Sequence, residues 1–289
     1  MIPGQFDYVR PGDLDQALAI LQEREGEAKL LSGGYSLIPL IKLRLAQPGV
    51  LVDMRDLAGL DRIVETDDEL HIGARATHRQ IHENEIIARY PLLHDVTGGI
   101  GDAQVRNWGT IGGSVAHADP ASDWPAVLQA AKAEIVCRSA SGERVIPAKD
   151  FFIDTFQTAI APTEVLTEIR FRRRPKRQGG AYFKLERKVG DFATVGVASI
   201  TKLDGSAIGW AGIGVTGVSA SPYAATAAEE ILIGQEPSEE LFRRAADAAA
   251  AQADPVADVR GPIDYKRAMV AEMTVRGLRK AVQIAIADA

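Results

Sequence analysis

Two short segments of the 289-residue chain pair glycines with hydroxyls in a way that can hold an anion: Ser32-Gly33-Gly34-Tyr35-Ser36-Leu37 and Thr110-Ile111-Gly112-Gly113-Ser114. Adjacent glycines allow positive φ and admit a ligand with no Cβ in the way, and consecutive N–H groups near a helix start can converge on a phosphate. An isolated Gly-Gly pair reads first as an ordinary tight turn. Two such pairs in one half of a chain fit a long ligand with a diphosphate and hydroxyl-bearing stretches, for which Asp119 or Asp123 in HADPASDWP supplies an acidic partner. The spacing is not the GxGxxG of a dinucleotide-binding Rossmann unit, and Lys42 lies too far into the next element for a Walker loop. A Rossmann NAD site and nucleotide hydrolysis are therefore set aside.

Other reactive side chains offer less. Cys137 is the only cysteine, so the chain can form no internal disulfide and cannot by itself supply the thiolates of an iron–sulfur cluster. Within an apparent strand it reads as a small buried hydrophobe. His78 and His82 share the i, i+4 spacing of zinc ligands but lack a third ligand, and a solvated helix is the simpler reading. His117 receives no role. The basic run Arg170–Lys176 reads as a strand end and linker or a subunit contact, because a net charge of −6 argues against nucleic acid.

The elements that would position the glycine segments follow from periodicity. Asp13 can cap a helix through Glu25 that puts Leu14, Ala17, Leu18 and Leu21 on one face, and AKLLS then reads as a strand. A helix from Pro39 and a strand VLVDM complete an alternating α/β start. Ile63–Ile72 resembles a hairpin turning at Asp67 and Asp68, and Thr77 is expected to cap a helix from His78 to Arg89 that ends near Pro91. The glycine density from Gly98 to Ser114 predicts close-approach backbone rather than packed elements, and WPAVLQAAKAEIVCRS a helix then a strand. Beyond a boundary near 177, three strands and two Ala-rich helices predict a smaller α+β domain. With no basic, apolar leader and no bilayer-length apolar run, the expected location is cytoplasmic.

SGGYSLIPLIKLR, VRNWGTIGGSVAHADPASDWP and YFKLERKVGDFATVGVA, in this order across essentially the whole chain, resemble the FAD-binding medium subunits of molybdenum hydroxylases, the carbon monoxide dehydrogenase and xanthine dehydrogenase family. The resemblance implies an α+β fold: a two-subdomain FAD-binding half of the vanillyl-alcohol-oxidase (PCMH) type over residues 1–177, divided near 57, and a C-terminal domain over 178–289 with a small antiparallel sheet and helices. It further implies that Leu31, Ser32, Gly33, Gly34, Tyr35, Ser36 and Leu37, with Thr110, Ile111, Gly112, Gly113 and Ser114, hold FAD, that Asp123 is the acidic contact, and that Leu166, Lys184 and Phe192 touch the cofactor. Ser32 stands where alanine is frequent, and Tyr35 where His, Gln or Thr is.

By the same resemblance the chain carries electrons and needs no catalytic acid or base and no metal of its own. A large molybdenum-cofactor subunit and a small subunit with 2Fe–2S clusters would be its partners, in a dimer of heterotrimers with no membrane span. A self-sufficient flavin oxidase of the same fold and an FAD-free scaffold are the rival readings. A bulky residue at Gly33 or Gly113 is expected to remove flavin with little loss of fold.

Overall fold

A computed structural model describes residues 2–288. The chain opens with β1 (Asp7–Val9), α1 (Leu14–Glu23), β2 (Ala28–Leu31), α2 (Leu37–Lys42) and β3 (Val50–Asp53). The strands form a parallel sheet in the order β1-β3-β2. Asp13 caps α1 by accepting the Gln16 N–H at 2.8 Å, so the helix starts where its apolar face can settle, and Ala17, Leu18 and Leu21 pack with Val50, Val52 and Leu57. The first glycine segment joins the C-terminal end of β2 to α2, the end of a parallel sheet where ligands gather.

A five-stranded antiparallel sheet follows. Its strands are β4 (Ile63–Glu65) and β5 (Glu69–Gly73), which form the expected hairpin, then β6 (Glu134–Ser139), β7 (Gly142–Pro147) and β10 (Val165–Arg172), in the order β4-β5-β10-β6-β7. Between β5 and β6 the chain is almost wholly helical: α3 (His78–His82), α4 (Pro91–Gly99), α5 (Ala103–Trp108), α6 (Ile111–His117) and α7 (Asp123–Ala131). A short helix α8 (Ala148–Phe151) and a small ribbon, β8 (Phe152–Asp154) with β9 (Gln157–Thr158), close the region before β10.

Two expectations fail here. Thr77 does cap α3 with a reciprocal Gln80 bond, but that helix stops at His82 and Pro91 begins α4 rather than ending its predecessor, as suits a residue with no N–H to donate. The stretch 98–114 also contains packed helices, because Asp102 and Thr110 each accept a backbone N–H and start α5 and α6 despite the glycines.

The third sheet, β11 (Gln178–Leu185), β12 (Val195–Asp204), β13 (Ala207–Thr216) and β14 (Tyr223–Ala224), is antiparallel in that order. It adds one short strand to the three expected, and three helices follow instead of two: α9 (Thr226–Leu232), α10 (Glu239–Gln252) and α11 (Ile263–Ala287). α11 covers β11 and β12 on one face, while α7 and α4 of the preceding region cover the other. A Cβ at Gly212 or Gly214 of β13 would overlap the Ala130 or Ala126 carbonyl of α7, so bare glycine lets helix and sheet backbones meet. Among the described residues no helix is long and apolar enough to cross a membrane.

Candidate flavin cradle

The two glycine segments lie against each other. Ser32 Oγ is 2.9 Å from Thr110 Oγ1, so the serine that departs from the commoner alanine makes the direct link. A Cβ on Gly33 would overlap the Trp108 carbonyl oxygen, with the Gly109 Cα at 2.9 Å. Glycine at 33 therefore sets the distance between the loops, and a bulky residue there must part them, so the expectation of little structural disturbance does not hold at this position. Gly34 takes φ +83°, a conformation that other residues adopt only with strain.

Hydrogen bonding differs sharply between the loops. The backbone N–H groups of Gly33, Gly34, Tyr35 and Ser36 make no hydrogen bond to any described residue, and α2 begins immediately after them. In the second loop every corresponding donor is engaged. Ile111 N–H reaches the Ala76 carbonyl and Gly112 N–H the Ala74 carbonyl; Gly113 N–H reaches Thr110 Oγ1 and Ser114 N–H the Thr110 carbonyl. The second pair of glycines occupies the first turn of α6, and Gly112 is there because a Cβ would strike Ala74. What this loop presents is a small surface with hydroxyls, Ser114 Oγ lying 2.8 Å from Ser122 Oγ.

The second loop rests on a buried support. His78 donates its backbone N–H to the Gly109 carbonyl at 3.0 Å, and its Nδ1 accepts the Trp124 indole N–H at 3.1 Å. Burial holds the His78 imidazole down at about 4. The expectation of a solvated pair is thus wrong for His78, because both the Trp124 ring and the loop backbone cover it. His82 instead stacks on His94, ring centres 4.3 Å apart. Among the described residues no His, Cys, Asp and Glu cluster is arranged to hold a metal.

Asp123 and Lys184 come together as a buried ion pair between α7 and β11, Nζ to Oδ2 3.3 Å. Tyr182 donates its hydroxyl to Asp123 Oδ1 at 2.6 Å. Burial pushes the Asp123 carboxyl up, opposed by the Lys184 charge and the Tyr182 hydrogen bond. The Lys184 ammonium also donates to the Gly99 and Asp191 carbonyls and lies 3.1 Å from Glu186 Oε2. It is no solvated strand residue, since its side chain is only 7% exposed. A cleft of about 360 Å³ opens beside the pair, lined by Gly98, Gly99, Lys184 and Glu186 with His82 and His94.

The remaining candidates are more dispersed. Leu166 is buried in the core under the five-stranded sheet, beside a β-bulge in its pairing with β6. Phe192 is half exposed on a loop held by Arg260, which donates to the Phe192 and Ala193 carbonyls. Tyr35 is likewise exposed at the first loop. Cys137 is buried and its thiol is pushed up to about 12 by that burial, an inert side chain. Sequence reasoning passed over Trp108, whose carbonyl abuts Gly33 and whose ring is 60% exposed. It also passed over Ser122, and Arg106, which donates to the Ile100 and Gly101 carbonyls and braces the turn before α5. An aromatic ring directly before a glycine, as in NWGT, was the available signal for Trp108.

Comparison with known proteins agrees with this architecture. Residues 4–172 match the family described as the FAD binding domain in molybdopterin dehydrogenase, and residues 180–281 match the CO dehydrogenase flavoprotein C-terminal domain. The carbon monoxide dehydrogenase medium chain of Hydrogenophaga pseudoflava is 39% identical over 97% of this chain and 98% of its own length. The fold superposes on reconstituted CO dehydrogenase from Oligotropha carboxidovorans with a TM-score of 0.96 at 37% identity, covering 100% of both chains. It superposes on quinoline 2-oxidoreductase from Pseudomonas putida 86 with a TM-score of 0.93 at 29% identity, covering 99% of this chain and 100% of that one.

Proposed function

The chain belongs to the family of FAD-binding flavoprotein subunits of molybdopterin dehydrogenases, and from that membership we propose that it is the FAD-carrying electron-transfer subunit of a heteromeric molybdenum hydroxylase. Electrons arrive from 2Fe–2S clusters on a small partner subunit, and a large partner subunit with the molybdenum cofactor hydroxylates the substrate. We further assign the complex to a dimer of heterotrimers in the cytoplasm, with residues 1–177 as the FAD-binding domain and 178–289 as its C-terminal companion.

The observation that carries this reading is the row of four backbone N–H groups from Gly33 to Ser36 that have no partner among the described residues, held against the second loop at a distance only glycine permits. Such a row fits a diphosphate. Leu31 and Leu37 flank it, and Thr110 and Ser114 add hydroxyls, while Ile111, Gly112 and Gly113 give a wall with no bulky side chain. Asp123 orients the Lys184 ammonium and accepts from ligand hydroxyls; Phe192 and Tyr35 give apolar surface near the ring system; Leu166 acts through its backbone at the bulge. Bound FAD supplies acceptance and release of electrons one or two at a time. The chain's own residues would hold it, with Lys184 as a buried cation beside Asp123, and would leave an edge for an external acceptor. None of them needs to abstract a proton from substrate.

Relatives of this fold carry names as different as carbon monoxide dehydrogenase and quinoline oxidoreductase, as expected if a partner subunit selects the substrate. Purification from the native host tests the proposal: flavin absorbance in this chain, with a molybdenum-containing and an iron–sulfur chain attached, is the predicted result. A colourless chain that takes up no FAD on reconstitution would overturn it.

A further inference from the structure

The hairpin loop that joins β11 to β12, residues 186–194, carries Phe192 and is pinned to the wall of the cradle. Ala193 donates its N–H to the Ala121 carbonyl at 3.1 Å, and the adjacent Ser122 is the residue whose hydroxyl meets Ser114 of the second loop. Lys184 bridges the Asp191 and Gly99 carbonyls. Gly190 takes φ +84° and lies so close to Gly101 that a Cβ would come within 2.9 Å of that residue's carbonyl. Asp191 Oδ1 accepts the Phe192 N–H at 2.8 Å, which fixes the backbone that presents the ring.

One further clasp comes from much later in the chain. Arg260, between α10 and α11, donates Nη1 to the Phe192 carbonyl at 2.9 Å and to the Ala193 carbonyl at 3.1 Å, and its Nη2 lies 3.4 Å from Asp191 Oδ1. The guanidinium thus grips the backbone on both sides of the ring through charge-assisted bonds in a fork that lysine does not reproduce. Polar contacts hold the turn that aims it. Asp258 and Gly261 exchange backbone hydrogen bonds, and the Asp258 carboxylate accepts the Arg260 N–H at 2.9 Å and pairs with the buried Lys266 ammonium at 2.9 Å. The apolar side chains beside it are left in solvent, Val256 being 78% and Val259 90% exposed. A turn ordered in this way without burying its own hydrophobes has the direction of Arg260 as its product.

We propose that Arg260 is a positioning residue for the cofactor site: it fixes the backbone at 191–193 so that the Phe192 ring is held toward the cofactor, and it acts on FAD only through that ring. The inference rests on the reading of Phe192 as surface for the flavin ring system. It gives the segment between the last two helices a part in the cradle that neither glycine loop supplies. Arg260→Met removes every donor of the clasp, whereas Arg260→Lys keeps the charge and can reach one carbonyl at a time.

Two measurements test this. In the flavin-free full chain, limited trypsin digestion reads the loop directly, because Arg187 and Lys188 are exposed within it. R260M is expected to be cut there about tenfold faster than the natural protein, with far-ultraviolet circular dichroism unchanged, and R260K at an intermediate rate. The second measurement titrates FAD, after flavin removal, into the chain together with the subunits that co-purify with it, for the natural protein, R260M, F192A and the F192A/R260M double variant. R260M is expected to lose about tenfold in FAD affinity by itself and nothing further once Phe192 is alanine, since a residue that acts through the ring then has nothing to hold. An equal loss in both backgrounds would make Arg260 a general brace and overturn the proposal, as would unchanged cutting at 187 and 188. No FAD uptake by the natural protein would instead overturn the flavin reading itself, and the trypsin result would still report on the clasp.

Discussion

The two glycine loops have nearly the same composition and opposite hydrogen-bonding states. In the first, Gly33 and Gly34 precede α2 and leave four consecutive N–H groups without partners among the described residues. In the second, Gly112 and Gly113 lie inside the opening turn of α6, where Ala74, Ala76 and Thr110 take up the donors. A Gly-Gly pair is thus given its role by the element that receives it. Before a helix it is a source of donors; within one, beside a neighbouring backbone, it is a means of close packing. The first loop can grip an anion, and the second forms the wall against which the grip is set.

That division can be broken most severely at Gly33. Gly33→Val must push the Trp108 carbonyl away and separate the loops, so flavin occupancy, read by absorbance after reconstitution, is expected to fall about a hundredfold or more in affinity. Gly113→Val meets only Thr110 Oγ1 at 2.8 Å and Ser32 Cβ at 3.9 Å and should lose much less. Equal losses would erase the distinction between grip and wall.

The connection from the wall to the C-terminal sheet is sharpened by Lys184→Met. Removing the ammonium leaves the Asp123 carboxylate buried without its counter-charge, a change that costs about 3–5 kcal/mol in comparable sites. Urea unfolding at neutral pH measures it, and a loss under about 1 kcal/mol would show that the pair bears little load.

Acid should act on the wall before the grip, through His78. The unfolded chain takes up a proton there as pH falls past 6.5, the folded chain only near 4. Stability supplied by the neutral ring is therefore complete above about pH 6.5 and is lost on descending towards pH 4, about 3 kcal/mol in all. His78→Asn, which cannot titrate, should flatten that limb of the stability profile, and an unchanged slope would remove His78 from the account.

Much of this arrangement is legible in the residues themselves. Asp13, Thr77 and the alternation of apolar runs declare the first helix, the cap of α3 and the hairpin, because caps and periodicity are local physics. The family resemblance placed the α+β fold and the flavin function, which the comparisons share. The helices between 91 and 117 were hidden because glycine lowers helix propensity while tertiary packing against Ala74 and the Asp102 and Thr110 caps overrides it. The burial of Lys184 was hidden too, since the sheet that carries it is covered by helices distant in sequence. No spacing rule links Gly33 to Trp108, so the contact that defines the cradle is visible only in three dimensions.

The most direct test is amide hydrogen exchange, residue by residue, with and without FAD. The N–H groups of Gly33, Gly34, Tyr35 and Ser36 are predicted to exchange quickly in the free protein and to be strongly protected by the cofactor, while those of Ile111 to Ser114 are already protected and change little. Protection gained at the second loop, with the first left unaltered, would contradict the account.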